Sequence, residues 1–429
     1  MNSLYFKNIR INILFMGLVA LFPLYKINYN SYSILLLVVY GLITSLKTRV
    51  SREKLVIRIK EKKNIFFLTS LIFFVFIFSL LFSENLSYGI RSVQHLIPLL
   101  LFPISFFFLS EKISKKEITI IFKIYLVGCF LHIIYIHYNF YDLGLYNNIQ
   151  EAKFYKLPFR DAVLNFEYES LHPTYLSLWY CFAIVLILKD FERLKLGKNT
   201  LILFIKITFI LVLVGTIILL SSRIGILALI IVLFCFFLRL RNKKTKWTLS
   251  FLFIIAIAFS FKNVSYISSR FINEFKQTKM SPPVGKEHNS VNIRIGIYEC
   301  SLKVIKNNLF FGVGIGDVQD RLNDCFSNFN TDVYQQKNYN SHNYFLHSLL
   351  VAGIIGLFAV LIMFYVLFKL ALQFNSYAYI CFLLIVIIAL LFENILSRNN
   401  GVMFFAFFNT LFVQYFDSKK YVNSFNSSI

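Results

Sequence analysis

Long apolar runs separated by polar breaks recur along almost the whole chain. They fall at about 11–28, 31–46, 64–83, 90–109, 118–137, 173–189, 200–220, 223–240, 247–262, 343–369, 376–392 and 400–416. None shows the strict alternation of a half-buried strand. Their lengths approach what an α-helix needs to cross a bilayer core. Backbone in lipid must satisfy its own hydrogen bonds, and a helix does so within one segment. The pattern predicts an all-α integral membrane protein of about twelve transmembrane helices, the whole of 1–429 forming one polytopic domain.

Two breaks are longer, at about 138–172 and 263–342. Pro282 and Pro283 mark loop in the second. Beyond them, Ile293, Ile297, Cys300, Val304 and Ile305 recur at helical spacing, which predicts an amphipathic helix near 292–308. Residues three and four apart are neighbours on a helix, so Arg294, Tyr298 and Ser301 share a stripe. Gly312, Gly314 and Gly316 then form a turn and lack the spacing of a dinucleotide fingerprint.

Composition agrees with this layout. The chain is 58% hydrophobic and 15% charged, with mean hydropathy +0.67, more apolar surface than a soluble protein of this length can hide. The net charge of +23 points first to a nucleic-acid partner, but its placement argues otherwise. Lys7 and Arg10, the stretch Lys47 to Lys63, Lys112 to Lys116, Lys189 to Lys198, Arg239 to Lys246, and Lys419 with Lys420 all fall on one side if the spans alternate. That side is cytoplasmic by the positive-inside rule. Both termini are then cytoplasmic, the two long breaks are periplasmic, and no nucleic-acid partner is expected. The first run lacks a small-residue cleavage site before Pro23 and reads as a retained span.

Cys129, Cys181, Cys235 and Cys381 sit in apolar runs as small hydrophobes. Cys300 and Cys325 share the second long loop, on the oxidising side, and the sequence leaves open whether they come within bridging range. Asp317, Asp320 and Asp324 lack the spacing of a calcium loop, so no metal site is expected.

Ionisable residues at membrane edges are the candidates for chemistry, each with a structural alternative. Arg223, in LLSSRIGILAL, marks a functional site or snorkels outward. Arg91, with His95 one turn on, is an anchor or a ligand contact. His172 precedes Pro173 and suits a plain helix start. Glu393 is followed by Arg398, a spacing that suits a local ion pair. His342 and Asn343 lie where the second long loop meets an apolar helix, ahead of Gly353 and Gly356, small residues that admit a close neighbouring helix. His347 reads as packing. Arginine's planar fork suits phosphate oxygens, and histidine can take a proton from a hydroxyl. The set fits a phosphate-bearing lipid ligand and glycosyl transfer away from a diphosphate.

Three stretches then carry a resemblance. His342-Asn343, nine residues and Gly353-Ile-Ile-Gly356 are similar to the H-N-x9-G-x-x-G pattern of the O-antigen ligase family. Arg223-x-x-x-Leu227 resembles that family's R-x3-L element, and Arg294 to Gly316 its arginine-led helix closing on a glycine turn. The resemblance implies a GT-C-like polytopic glycosyltransferase of the bacterial inner membrane. Such an enzyme moves a glycan from undecaprenyl diphosphate to the lipid A–core oligosaccharide at the periplasmic face, with inversion and without metal or cofactor. It implies that Arg223 and Arg294 grip the diphosphate and that His342 activates or orients the acceptor hydroxyl. Arg91, Asn343, Glu393 and Tyr298 are further substrate contacts to be tested. A polymerase of the same superfamily, elongating a lipid-linked repeat, and a protein O-oligosaccharyltransferase remain alternatives. A non-enzymatic lipid-glycan transporter is a reading from another class, but it would favour paired symmetric halves and charges near the midplane.

Overall fold

The computed structural model describes residues 11–25, 27–142, 158–166, 171–189, 200–240, 280–286 and 288–426, and these are helical with no strand. In chain order they form α1 (Ile11–Ala20), α2 (Ile27–Leu46), α3 (Arg49–Thr69), α4 (Leu71–Phe78), α5 (Leu86–Gln94), α6 (Pro98–Pro103), α7 (Lys115–Asp142) and α8 (Pro158–Asn165). There follow α9 (Pro173–Leu188), α10 (Thr200–Leu220), α11 (Arg223–Arg239), α12 (Ser290–Asn307), α13 (Val318–Phe326), α14 (Tyr344–Gln373), α15 (Tyr377–Phe392) and α16 (Asn399–Asn426).

Four of the described helices, α2, α7, α10 and α14, are long and apolar enough to cross a membrane. The number rises to six if two bent pairs each count as one span. In the first pair α3 turns by 65° into the stretch from α4 to Phe82, and in the second α5 turns by 43° into Pro98–Leu109. α1, α9 and α15 are apolar but shorter. The expected span at 247–262, the basic segments 190–198 and 241–246, and 143–157, 167–170 and 263–279 of the two polar breaks lie outside the described residues.

One basic break is not a loop. α3 starts at Arg49, where the Thr48 hydroxyl accepts the Ser51 N–H at 3.1 Å. Lysine, arginine and glutamate are strong helix formers, so a polar stretch can be helical without an apolar run. Lys62 in α3 is buried and ion-paired with Asp417 of α16.

α9 lies at the centre, packed by α7, α10, α11 and α15. Nearly all of its residues are buried, as a helix that is apolar all round requires. Phe182 is wedged among Phe122, Phe382, Phe404 and Phe408. This fixed core holds the N-terminal end of α9, with His172 and Thr174, against the neighbouring helix ends.

α14 breaks inside its length. Ala352 (φ −138°, ψ 23°) and Gly353 (φ 58°, ψ −147°) leave the helical region, and the positive φ suits glycine. The segment after α12 fills the break. Val313 and Gly314 donate N–H bonds to the carbonyls of Leu350 and Val351 at 2.8 and 3.1 Å, and Ile354 N–H bonds the Leu309 carbonyl at 2.9 Å. A Cβ on Gly353 would stand 2.3 Å from the Phe310 carbonyl oxygen. Gly353 therefore admits a loop rather than a neighbouring helix, because only backbone can satisfy the groups that the break exposes, while Gly356 lies against Ser348 and Ala352 of α14 itself.

Candidate active site

The loop and α12 are fastened on three sides. Cys300 and Cys325 form a disulfide joining α12 to α13. The Tyr334 hydroxyl donates to the Ile293 carbonyl at 2.9 Å. The Asp317 carboxylate accepts the N–H groups of Glu84 and Asn85, both at 2.8 Å, at the start of α5. That aspartate thus closes a turn, and no cluster of three or more metal-ligating side chains occurs among the described residues.

A cavity of about 310 Å³ opens where the N-terminal ends of α9, α11 and α12 meet the loop before α14 and the end of α15. Arg223, Arg294, His342 and Glu393 all line it. Arg223 is the first residue of α11, behind Ser222, whose hydroxyl caps the helix by accepting the Gly225 N–H at 3.2 Å. Its guanidinium Nη1 donates to Ser290 Oγ at 3.0 Å. Arg294 lies in the second turn of α12, whose start is fixed by a capping box between Asn289 and Asn292. Nη2 of Arg294 donates to Glu393 Oε1 at 2.8 Å.

His342 meets the other oxygen, with Nδ1 2.9 Å from Glu393 Oε2. Its backbone has φ +42°, a left-handed conformation uncommon outside glycine and concentrated at functional sites. The His342 N–H donates to Asn340 Oδ1 at 2.9 Å, which holds that conformation. Burial pushes the Glu393 carboxyl up, but the His342 hydrogen bond and the charges of His342, Arg294 and His172 outweigh it and hold the group below its ordinary value. The carboxylate can then only accept, so Nδ1 carries the proton and the ring's second nitrogen, Nε2, is left for other chemistry.

The remaining sequence candidates divide. Glu393 is a partner of His342 and Arg294 rather than of Arg398, and both its oxygens are engaged. Asn343 does not line the cavity: its Oδ1 caps α14 by accepting the Phe345 and Leu346 N–H groups at 2.9 and 3.0 Å, and its Nδ2 donates to the Leu391 carbonyl at 3.0 Å. Tyr298 stands behind the wall, its hydroxyl 3.5 Å from the His342 carbonyl. Burial pushes that hydroxyl up, against the lowering pull of Arg294, so it stays protonated and donates. Arg91 lines a different cavity, of about 350 Å³.

Two contributors come from outside the motifs. Arg160 of α8 lines the same cavity, donating from Nη1 to the Leu220 carbonyl at 3.2 Å and lying with Nη2 3.5 Å from His172 Nε2. His172, whose Nδ1 accepts the Thr174 N–H at 3.3 Å, is both a helix cap and a cavity residue. Proline at the start of α8 with an arginine in its first turn is the only local signal for Arg160.

The lining described thus holds three arginines against one carboxylate, a balance that suits a doubly charged anion beside a base. Residues 208–361 match the family model described as O-antigen ligase. The chain carries an O-antigen ligase family domain. The matched stretch holds Arg223, Arg294, the glycine turn, His342 and the α14 break as far as Gly356, whereas Arg160, His172 and Glu393 complete the cavity from outside it. The family is one of membrane glycosyltransferases of the ligase and polymerase type, which take a lipid-linked glycan as donor. No curated protein matches the chain.

Proposed function

We propose that the protein is an O-antigen ligase that transfers a glycan from undecaprenyl diphosphate to a sugar hydroxyl of the lipid A–core acceptor. The observation that carries this reading is the meeting, in one cavity, of the His342–Glu393 pair with Arg160, Arg223 and Arg294. The acceptor hydroxyl gives its proton to His342 Nε2 as its oxygen attacks the anomeric carbon. The bond from that carbon to the diphosphate oxygen breaks, the electron pair leaves with undecaprenyl diphosphate, and the configuration inverts. The arginines stabilise the charge that grows on the departing diphosphate, and Glu393 holds the imidazole in the required tautomer and stabilises the imidazolium.

The site is assigned to the periplasmic face of the inner membrane, in a bundle of about twelve spans with both termini cytoplasmic. Three observations support this. The cavity lies at the N-terminal ends of α9 and α11, and the opposite ends of these helices carry Lys189 and Arg239, joined by a 3.1 Å bond from Arg239 to the Lys189 carbonyl. The Cys300–Cys325 disulfide beside the site suits an oxidising compartment. Lys62 of α3, with Lys112 close by, is ion-paired with Asp417 of α16, so the basic stretches around α3 and Lys112 sit together.

Deletion of the gene tests the acceptor. A ligase deletion leaves lipopolysaccharide with bare core while lipid-linked polymer accumulates. Core capped with a single repeat would instead assign the protein as the polymerase.

A further inference from the structure

The cavity that Arg91 lines borders the first one. The partition between them is built from Asn340 to His342 and from Glu393 to Asn394. Asn340 accepts the His342 N–H at 2.9 Å, and the Asn394 amide donates to Ser341 Oγ at 2.9 Å. The two sides differ in charge. The first cavity contains Glu393, whereas the second presents Arg91, His95 and Arg398 with no carboxylate among its described lining residues. The hydrogen bonds described for the Arg91 guanidinium go to neutral groups of its own helix, the Ser87 carbonyl at 3.3 Å and Ser87 Oγ at 3.2 Å. No ion pair of Arg398 occurs among the described residues, although Glu393 lies only five positions away and faces Arg294 instead. Both guanidinium groups are exposed, within reach of a ligand. The same wall carries the amides of Asn338 and Asn340, a side-chain type that can both donate to and accept from sugar hydroxyls.

Resting on the glycosyl-transfer reading, we propose that this second cavity is the acceptor's anchoring site and that Arg91 and Arg398 bind a phosphate or carboxylate group carried by the acceptor oligosaccharide. Anchored there, the acceptor reaches past the Asn340–Asn394 partition to present a hydroxyl to His342. The pairing of fixed positive charge with amides selects a charged sugar over a neutral one, because guanidinium bonds to an anion are stronger than those to a hydroxyl.

Equilibrium binding of three soluble oligosaccharides to the purified full chain, without donor, tests this. The probes share one sugar skeleton and are phosphorylated, hexuronate-bearing or neutral. At least one charged probe is expected to bind about 10-fold or more tighter than the neutral one, and which one does so identifies the anion. The Arg91→Gln/Arg398→Gln double variant is expected to lose that preference, while Arg223→Ala keeps it. Equal binding of all three probes to the unmodified protein would overturn the proposal whatever the folding of the variants. So would a preference that survives in the double variant or disappears in Arg223→Ala. Donor is absent, so the assay reports on the anion site separately from transfer. A protein that discriminates the probes yet transfers no glycan would count against the proposed function alone.

Discussion

Glu393 Oε2 lies 2.9 Å from His342 Nδ1, across 51 positions of sequence. The contact joins the mouth of α14 to the end of α15, and it stands on local geometry at both ends. Glu393 leaves α15 in an extended conformation (φ −152°, ψ 154°), while His342 turns through a left-handed one. Arg294 occupies the carboxylate's other oxygen at 2.8 Å. A single carboxylate thus orients the His342 imidazole and the Arg294 guanidinium through its two oxygens.

Replacing that carboxylate separates orientation from chemistry. Glu393→Gln keeps the shape but loses the charge that fixes the tautomer and pairs Arg294. Transfer is expected to fall about 10- to 100-fold, the scale for losing a group that orients a functional imidazole. The loss belongs in kcat more than in the acceptor KM, and steady-state kinetics of the purified variant measure the split. Equal losses in both would assign Glu393 to substrate binding instead.

The same group makes stability depend on pH. Its carboxyl is held below its ordinary value, so the folded state favours the ionised form more than the unfolded chain does. That contribution is present in full above about pH 5 and is lost as pH falls through the lowered folded value. The melting temperature of the unmodified protein is therefore expected to exceed that of Glu393→Gln at neutral pH, with the gap closing in acid. Parallel melting curves in detergent at stepped pH check the sign, and a gap that widens on acidification would contradict it.

The α14 break gives a prediction about folding. Gly353→Ala places a Cβ at φ 58° and 2.3 Å from the Phe310 carbonyl oxygen, where an alanine destabilises by more than about 1 kcal/mol. Gly215→Ala in α10, where an added Cβ meets nothing within 4 Å, is expected to be neutral or stabilising in a helix. Thermal unfolding of the two variants side by side makes the comparison. A harmless Gly353→Ala would mean that the loop 309–314 does not lock into α14 as described.

Much of this is legible in the amino-acid sequence. Helical character follows from the length of the apolar runs, and α12 from the spacing of Ile293, Ile297 and Cys300. The pattern from His342 to Gly356 and its order after Arg223 and Arg294 point to the family that residues 208–361 match. What stays hidden is what depends on how helices are arranged around one another. Hydropathy places Arg91 and Arg223 at the same membrane edge but carries no information on azimuth, and the structure puts them in separate cavities. Arg160 reaches the first cavity from a short helix in a polar break, with no periodicity to mark it. Glu393 has a nearer cation in sequence, Arg398, yet the extended backbone after α15 directs it to Arg294 and His342. The helix in the basic break escapes a hydropathy reading because its polar residues give no apolar stripe.

The central claim is that His342, oriented by Glu393, takes the acceptor's proton while arginines hold the leaving diphosphate. The most direct measurement supplies purified protein with undecaprenyl-diphosphate-linked glycan and lipid A–core, and follows glycosylated core together with released undecaprenyl diphosphate. The unmodified protein is predicted to form both in equal amounts, and His342→Ala, inserted and folded as before, to lose about 100-fold or more of the rate. Undiminished transfer by His342→Ala, or elongation of the lipid-linked glycan in place of transfer to core, would contradict the account.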